Sequence, residues 1–102
     1  MKLLTKALEK KLPALYAQDG KGDNAKVYVK FFTPWTNWTW YATEYDPETG
    51  DFFGWVEGHE KEYGYFNLHE LEAIKGPFGL KIERDILFET TTLGAVKSGA
   101  VQ

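Results

Sequence analysis

The strongest constraint in this sequence is a pair of aromatic runs joined by a tight turn. Trp38-Thr-Trp-Tyr-Ala-Thr-Glu-Tyr-Asp46 and Phe52-Phe-Gly-Trp-Val-Glu57 flank Asp46-Pro-Glu-Thr-Gly-Asp51. Rings and β-branched residues favour strands, Pro47 presets the first bend, and Gly50 is free to take a positive φ. The segment therefore reads as a β-hairpin. With Asp46 and Asp51 flanking the loop, simple alternation puts Tyr45 opposite Phe52, Thr43 opposite Gly54 and Tyr41 opposite Val56 on one side. Trp40, Ala42, Phe53 and Trp55 then lie on the other. Both faces are aromatic, although a small antiparallel sheet needs only one buried face.

The flanking segments extend the sheet. Lys26–Phe32 is a strand closed by Pro34, Tyr63–Phe66 follows the turn Gly58–Lys61, and Leu80–Phe88 makes a fifth strand. Leu4, Leu8, Leu12 and Leu15 recur at helical spacing behind a Thr5 cap, and Pro13 ends or kinks that helix. Asn67 with Glu70 gives a capping box for a short second helix, Leu68–Ile74, with Phe66 stapled onto Leu71. Strands cluster together and helices do not alternate with them. The expected fold is α+β: one small domain over residues 1–93, an antiparallel sheet of about five strands, an N-terminal helix and a short second helix. Residues 94–102, rich in Gly, Ala and Ser, are expected to form a flexible tail.

Composition narrows the chemistry. The chain has 102 residues and no cysteine, which removes disulfide scaffolds, thiolate metal sites and thiol nucleophiles. There is no G-x-S-x-G, P-loop or G-x-G-x-x-G pattern, so no enzyme activity is expected. The longest apolar run is only a few residues, and lysines interrupt the first eleven positions, so neither a membrane span nor a signal peptide is expected. The expected location is cytoplasmic.

Charge is unevenly spread. Residues 1–30 carry seven lysines and three acids, whereas residues 31–102 carry five basic residues and twelve acids. Glu44, Asp46, Glu48, Asp51, Glu57 and Glu60 fall between Lys30 and Lys61 with no basic residue among them. Nucleic-acid binders interleave aromatics with basic residues. Here the rings come with carboxylates, so direct nucleic-acid binding is not expected of this segment. An exposed ring surface with a carboxylate rim is the composition of a protein-binding hot spot. The candidates are Trp35, Trp38, Tyr41, Glu44, Tyr45, Asp46 and Asp51; the ordinary alternative is that these rings are core. Without cysteine, a metal site would have to use His59, His69 and carboxylates, a set suited to zinc or another divalent cation. His59 with Glu57, Glu60, Glu62 or Asp85 could supply three ligands, with His59, Glu62 and Asp85 as the candidate set; the alternative is two ordinary surface histidines, and no cofactor is expected. Glu83-Arg84-Asp85 reads as a solvated edge or an Arg–carboxylate pair, or else as two acids converging on a ligand.

Val29-Lys-Phe-Phe-Thr-Pro34, Trp38-Thr-Trp-Tyr-Ala-Thr-Glu44, Phe53-Gly54, Glu62-Tyr-Gly-Tyr-Phe66, Glu70-Leu71 and Ile82-Glu-Arg-Asp85 together resemble the DUF2958 family over roughly residues 1–93. Asn67 and His69 stand where that family is usually simpler. The resemblance implies no activity and no catalytic residue. It implies a setting, that of plasmids, integrative elements and phages, where small accessory proteins counter host defences. The resulting expectation is a non-enzymatic inhibitor that binds a host protein such as a CRISPR effector nuclease and blocks its nucleic-acid loading. A carbohydrate or small-ligand module using the Trp and Tyr rings, and a nucleic-acid binder using the basic N-terminal segment, are the alternatives.

Overall fold

The computed structural model describes residues 2–100. The first elements in chain order are α1 (Lys6–Lys11), β1 (Lys26–Val27), β2 (Val29–Phe32), β3 (Thr39–Asp46), β4 (Asp51–Glu57), β5 (Lys61–Asn67) and α2 (Leu68–Ala73). Then come β6 (Glu83–Arg84), β7 (Thr91–Thr92) and α3 (Leu93–Lys97). The main sheet is antiparallel in the order β5-β4-β3-β2-β6, and β1 pairs with β7 as a separate ribbon. The fold is α+β, as expected.

The caps follow the local chemistry. The Thr5 hydroxyl accepts the Leu8 N–H at 3.2 Å. The Asn67 side chain accepts from His69 and Glu70 N–H at 2.9 and 3.3 Å. One layer of the core lies under α1 and α2, where Leu3, Leu4, Leu12 and Leu71 close over Val29, Phe31, Trp40, Tyr45, Phe52 and Phe66. Phe31 and Phe52 meet edge-on at 5.4 Å, a geometry worth about 1 kcal/mol beyond area burial. Arg84, on the outer strand, donates to the Lys2 and Leu3 carbonyls at 2.6 and 2.9 Å and ties the N-terminal segment to the sheet.

Three expectations need correction. The hairpin is not a simple alternation: β3 carries a bulge at Thr43, so Ala42 pairs with Gly54, Tyr41 with Trp55 and Trp40 with Val56. A side chain at position 54 would reach within 1.8 Å of the Tyr41 carbonyl oxygen, so only glycine fits beneath the bulge. The extra residue moves Trp40 and Ala42 to the face of Tyr45 and Phe52, and sends Tyr41 to the opposite face. The fifth strand shrinks to Glu83–Arg84, because Ile82 turns into the core and Asp85 accepts the Leu87 N–H at 3.0 Å, starting a turn. Finally, the packed domain continues past residue 93. Thr92 caps α3 through Ala95 N–H at 3.2 Å, and Leu93 and Val96 are buried against Val27, Tyr41 and Trp55. Residues 101–102 of the expected tail lie outside the described residues.

Candidate interaction surface

The face of the sheet that carries Tyr41 and Trp55 is covered in two unequal halves. β1 and α3 close over Tyr41 of β3 and Trp55 of β4 through Val27, Leu93 and Val96. Beside Phe53 and Tyr63 runs the loop that follows Pro13, and polar groups fasten it to β3. Glu44, 3% exposed, accepts the Tyr16 N–H at 2.9 Å and the Gln18 N–H at 2.8 Å. The buried Gln18 amide donates to the carbonyls of Thr43 (2.8 Å) and Lys26 (2.9 Å) and accepts from Lys26 N–H at 2.6 Å. The Thr43 hydroxyl donates to the Phe53 carbonyl at 2.9 Å. The bulge thus turns a displaced backbone carbonyl toward the loop, and every buried side-chain polar atom among the described residues has a partner.

Held this way, the loop carries Tyr16 at φ +72°, a left-handed conformation that costs a bulky residue about 1–2 kcal/mol. Its ring is 64% exposed and stands beside Tyr65 of β5, which is 56% exposed; Tyr63, two residues earlier, is 47% exposed. The neighbouring Tyr16 hydroxyl holds the Tyr65 phenol above its ordinary pKa. Phe53 stacks parallel to Tyr63 at 6.1 Å and meets Tyr65 edge-on at 5.0 Å. Between the Phe53 and Tyr63 rings and Gln18, Asp19, Gly20 and Gly22 lies an open cleft of about 420 Å³.

At the inner end of this surface the protein supplies its own cation. Lys97 Nζ sits 5.1 Å from the Trp55 ring centre and 5.4 Å from that of Tyr63, and 2.9 Å from Asp23 Oδ1. That hydrogen bond holds the Lys97 ammonium above its ordinary pKa. Rings plus a carboxylate form a box for a basic side chain. The outer end, with Phe53, Tyr63, Tyr65 and Asp19, offers the same components to solvent.

The expected site residues are dispersed. Tyr41, Glu44 and Tyr45 are buried and present no rim. Burial, with Glu57 and Asp85 nearby, pushes the Tyr41 phenol up to about 12. Trp38 stacks on Trp40 at 5.8 Å and meets His59 edge-on at 5.4 Å, while Trp35 packs against the core beside Gly76. Asp46 and Asp51 are tied into the turn: Asp46 accepts the Glu48 N–H at 2.9 Å, and Asp51 accepts the Asn67 amide at 2.9 Å. Asp46, Glu48 and Asp51 sit at one end of the hairpin and Glu57 and Glu60 at the other, so the acids form no single face. His59, Glu62 and Asp85 are not brought together; Asp85 instead pairs with Lys30 at 3.5 Å. Among the described residues no three acidic or histidine side chains are placed to hold a metal ion.

The model of DUF2958, a family described as proteins of unknown function, matches residues 3–96. The chain belongs to the DUF2958 family. No curated protein and no solved structure matches it. Within this DUF2958 domain, the segment Glu62-Tyr-Gly-Tyr-Phe66 supplies two of the three exposed tyrosines of the surface, so the signal for them is present in the sequence as an alternation along a strand. Among the described residues no helix is long and apolar enough to cross a membrane.

Proposed function

We propose that this DUF2958 protein is a non-enzymatic binding domain that docks the Tyr16, Phe53, Tyr63 and Tyr65 surface onto a basic patch of a partner protein. The observation that carries this reading is the exposed tyrosine group itself. Two rings set by β5 and a third on a loop held by a buried polar staple form a preorganised anchor of the kind that dominates interface energetics. Lys97 in its ring-and-carboxylate box supports the choice of a basic partner, since it models how an incoming Lys or Arg is received. In the setting of phages and mobile elements, the partner proposed is a nucleic-acid-handling surface of a host defence nuclease such as a CRISPR effector, and the effect is to block nucleic-acid loading inside the host cell. The net charge of −3 argues for steering toward such a surface rather than imitation of a duplex.

The test compares three purified proteins in loading and cleavage assays with defence nucleases. The native chain is expected to inhibit, Tyr63→Ala/Tyr65→Ala to lose about tenfold or more in potency, and Asp46→Asn/Asp51→Asn, which keeps the chain acidic, to remain active. Inhibition that survives loss of both tyrosines, or no binding by the native chain to any nuclease tried, would overturn the proposal. The same cleft allows a sugar or other small ligand as the alternative, which a glycan array with the native protein distinguishes.

A further inference from the structure

β5 is the last strand of the main sheet, and its outer edge has no backbone partner among the described residues. It is seven residues long, contains no proline and pairs with β4 without a bulge, so none of the usual backbone devices blunts that edge. We infer that the free edge of β5 pairs antiparallel with β5 of a second copy of this chain, across a two-fold axis at Gly64. This goes beyond the proposed partner-binding role and rests on a different observation, the unpaired backbone rather than the exposed rings.

The register follows from the side chains. Pairing about Gly64 sets all seven residues against each other, with Lys61 opposite Asn67, Tyr63 opposite Tyr65 and Glu62 opposite Phe66 of the other copy. Sliding by two residues in either direction leaves five of the seven paired, and sliding by four toward the start sets Glu62 against Glu62, a like-charge pair directly opposed. In the central register, Lys61 also lies two strand spacings, about 10 Å, from Asp51 of the second copy, within reach of a lysine and a carboxylate side chain together. Lys61 at one end of the strand thus faces Asp51 of the second copy's β4 beyond the other end. Tyr63 and Tyr65 of each copy form two cross-strand ring pairs on one side, so the two aromatic surfaces continue into each other and face the same way.

Gly64 makes this testable, because the chain has no cysteine and a side chain there meets only Val56, at an ordinary 3.9 Å. In Gly64→Cys the two thiols of a dimer face each other with their Cα atoms about 4.5–5.5 Å apart, within disulfide range. In Glu62→Cys the thiols lie four residues apart along the pair, about 13 Å, and cannot join. Under mild oxidation of the full chain, Gly64→Cys is expected to form covalent dimer at least about tenfold faster than Glu62→Cys. Light scattering of the native protein at rising concentration is expected to show the mass climbing toward twice that of one chain. Equal crosslinking of the two variants would overturn the register, and a native chain that stays monomeric to millimolar concentration would overturn the pairing.

Discussion

Replacing Glu44 separates a buried staple from an acidic docking rim. Its carboxylate accepts two backbone N–H groups, from Tyr16 at 2.9 Å and Gln18 at 2.8 Å, and none of the ion pairs among the described residues includes it. Each bond to a charged acceptor contributes about 1.5–3 kcal/mol, and each buried N–H left unmet costs about 1–3 kcal/mol. Against this stands the cost of burying the charge, which the alanine variant no longer bears. The balance puts Glu44→Ala at about 3 kcal/mol of lost stability. Glu44→Gln keeps one carbonyl acceptor and sets an amide N–H against a second donor, for about 1–2 kcal/mol. Urea unfolding at neutral pH measures both, and amide exchange at Tyr16 and Gln18 should quicken in both variants. If Glu44→Ala stays within about 0.5 kcal/mol of the native protein, the staple does not hold the loop and the reasoning is wrong.

The remaining predictions concern the bulge, the strained tyrosine and the buried phenol. Gly54→Ala should cost about 3 kcal/mol or more by chemical denaturation, since a Cβ there would stand 1.8 Å from the Tyr41 carbonyl oxygen. Tyr16→Gly should stabilise the fold by about 0.5–1 kcal/mol in the same assay while weakening partner binding, because relief of the +72° φ outweighs the added chain entropy. Tyr41 has a folded pKa near 12 against an ordinary value near 10, raised by burial and by Glu57 and Asp85. Its neutral form is therefore favoured in the fold: this contribution is whole below pH 10 and is lost as pH rises through 12. The loss should be on the order of 1–2 kcal/mol and should be absent in Tyr41→Phe. Tyr63→Ala/Tyr65→Ala should cost about 1–2 kcal/mol by thermal unfolding without unfolding the domain, since both rings pack on Phe53 and Tyr63 meets Trp55 edge-on at 5.1 Å.

The elements that were legible in the sequence are those whose signals are local. Thr5 and Asn67 cap helices through bonds spanning three residues or fewer, and the Asp46–Asp51 turn and the leucine stripe need no distant partner to be recognised. The bulge was not legible, because its cause lies 25 residues away in the Gln18 amide that takes the Thr43 carbonyl. One inserted residue then exchanged the faces of Trp40 and Tyr41, and with them the assignment of which rings are core. Glu44 and Gln18 look like surface residues by type, yet they fasten the loop to the sheet. α3 could have been found: Thr92 before Leu93 and Val96 is a cap followed by an apolar pair three apart, hidden by the small residues around it. The tyrosine surface was visible as Tyr63 and Tyr65 alternating on an edge strand, but the clustering of tryptophans upstream drew the reading to residues that the fold buries or packs against its core.

The proposed partner binding requires that the Tyr16–Tyr65 surface be the one that receives basic groups. Its most direct test is a nuclear magnetic resonance titration of the isotope-labelled full chain with a short arginine-rich peptide, at two salt concentrations. The predicted result is saturable shift changes at Tyr16, Asp19, Phe53, Tyr63 and Tyr65 that weaken as salt is raised. Changes centred instead on the Asp46–Asp51 turn, or shifts spread evenly over every exposed acid, would contradict it.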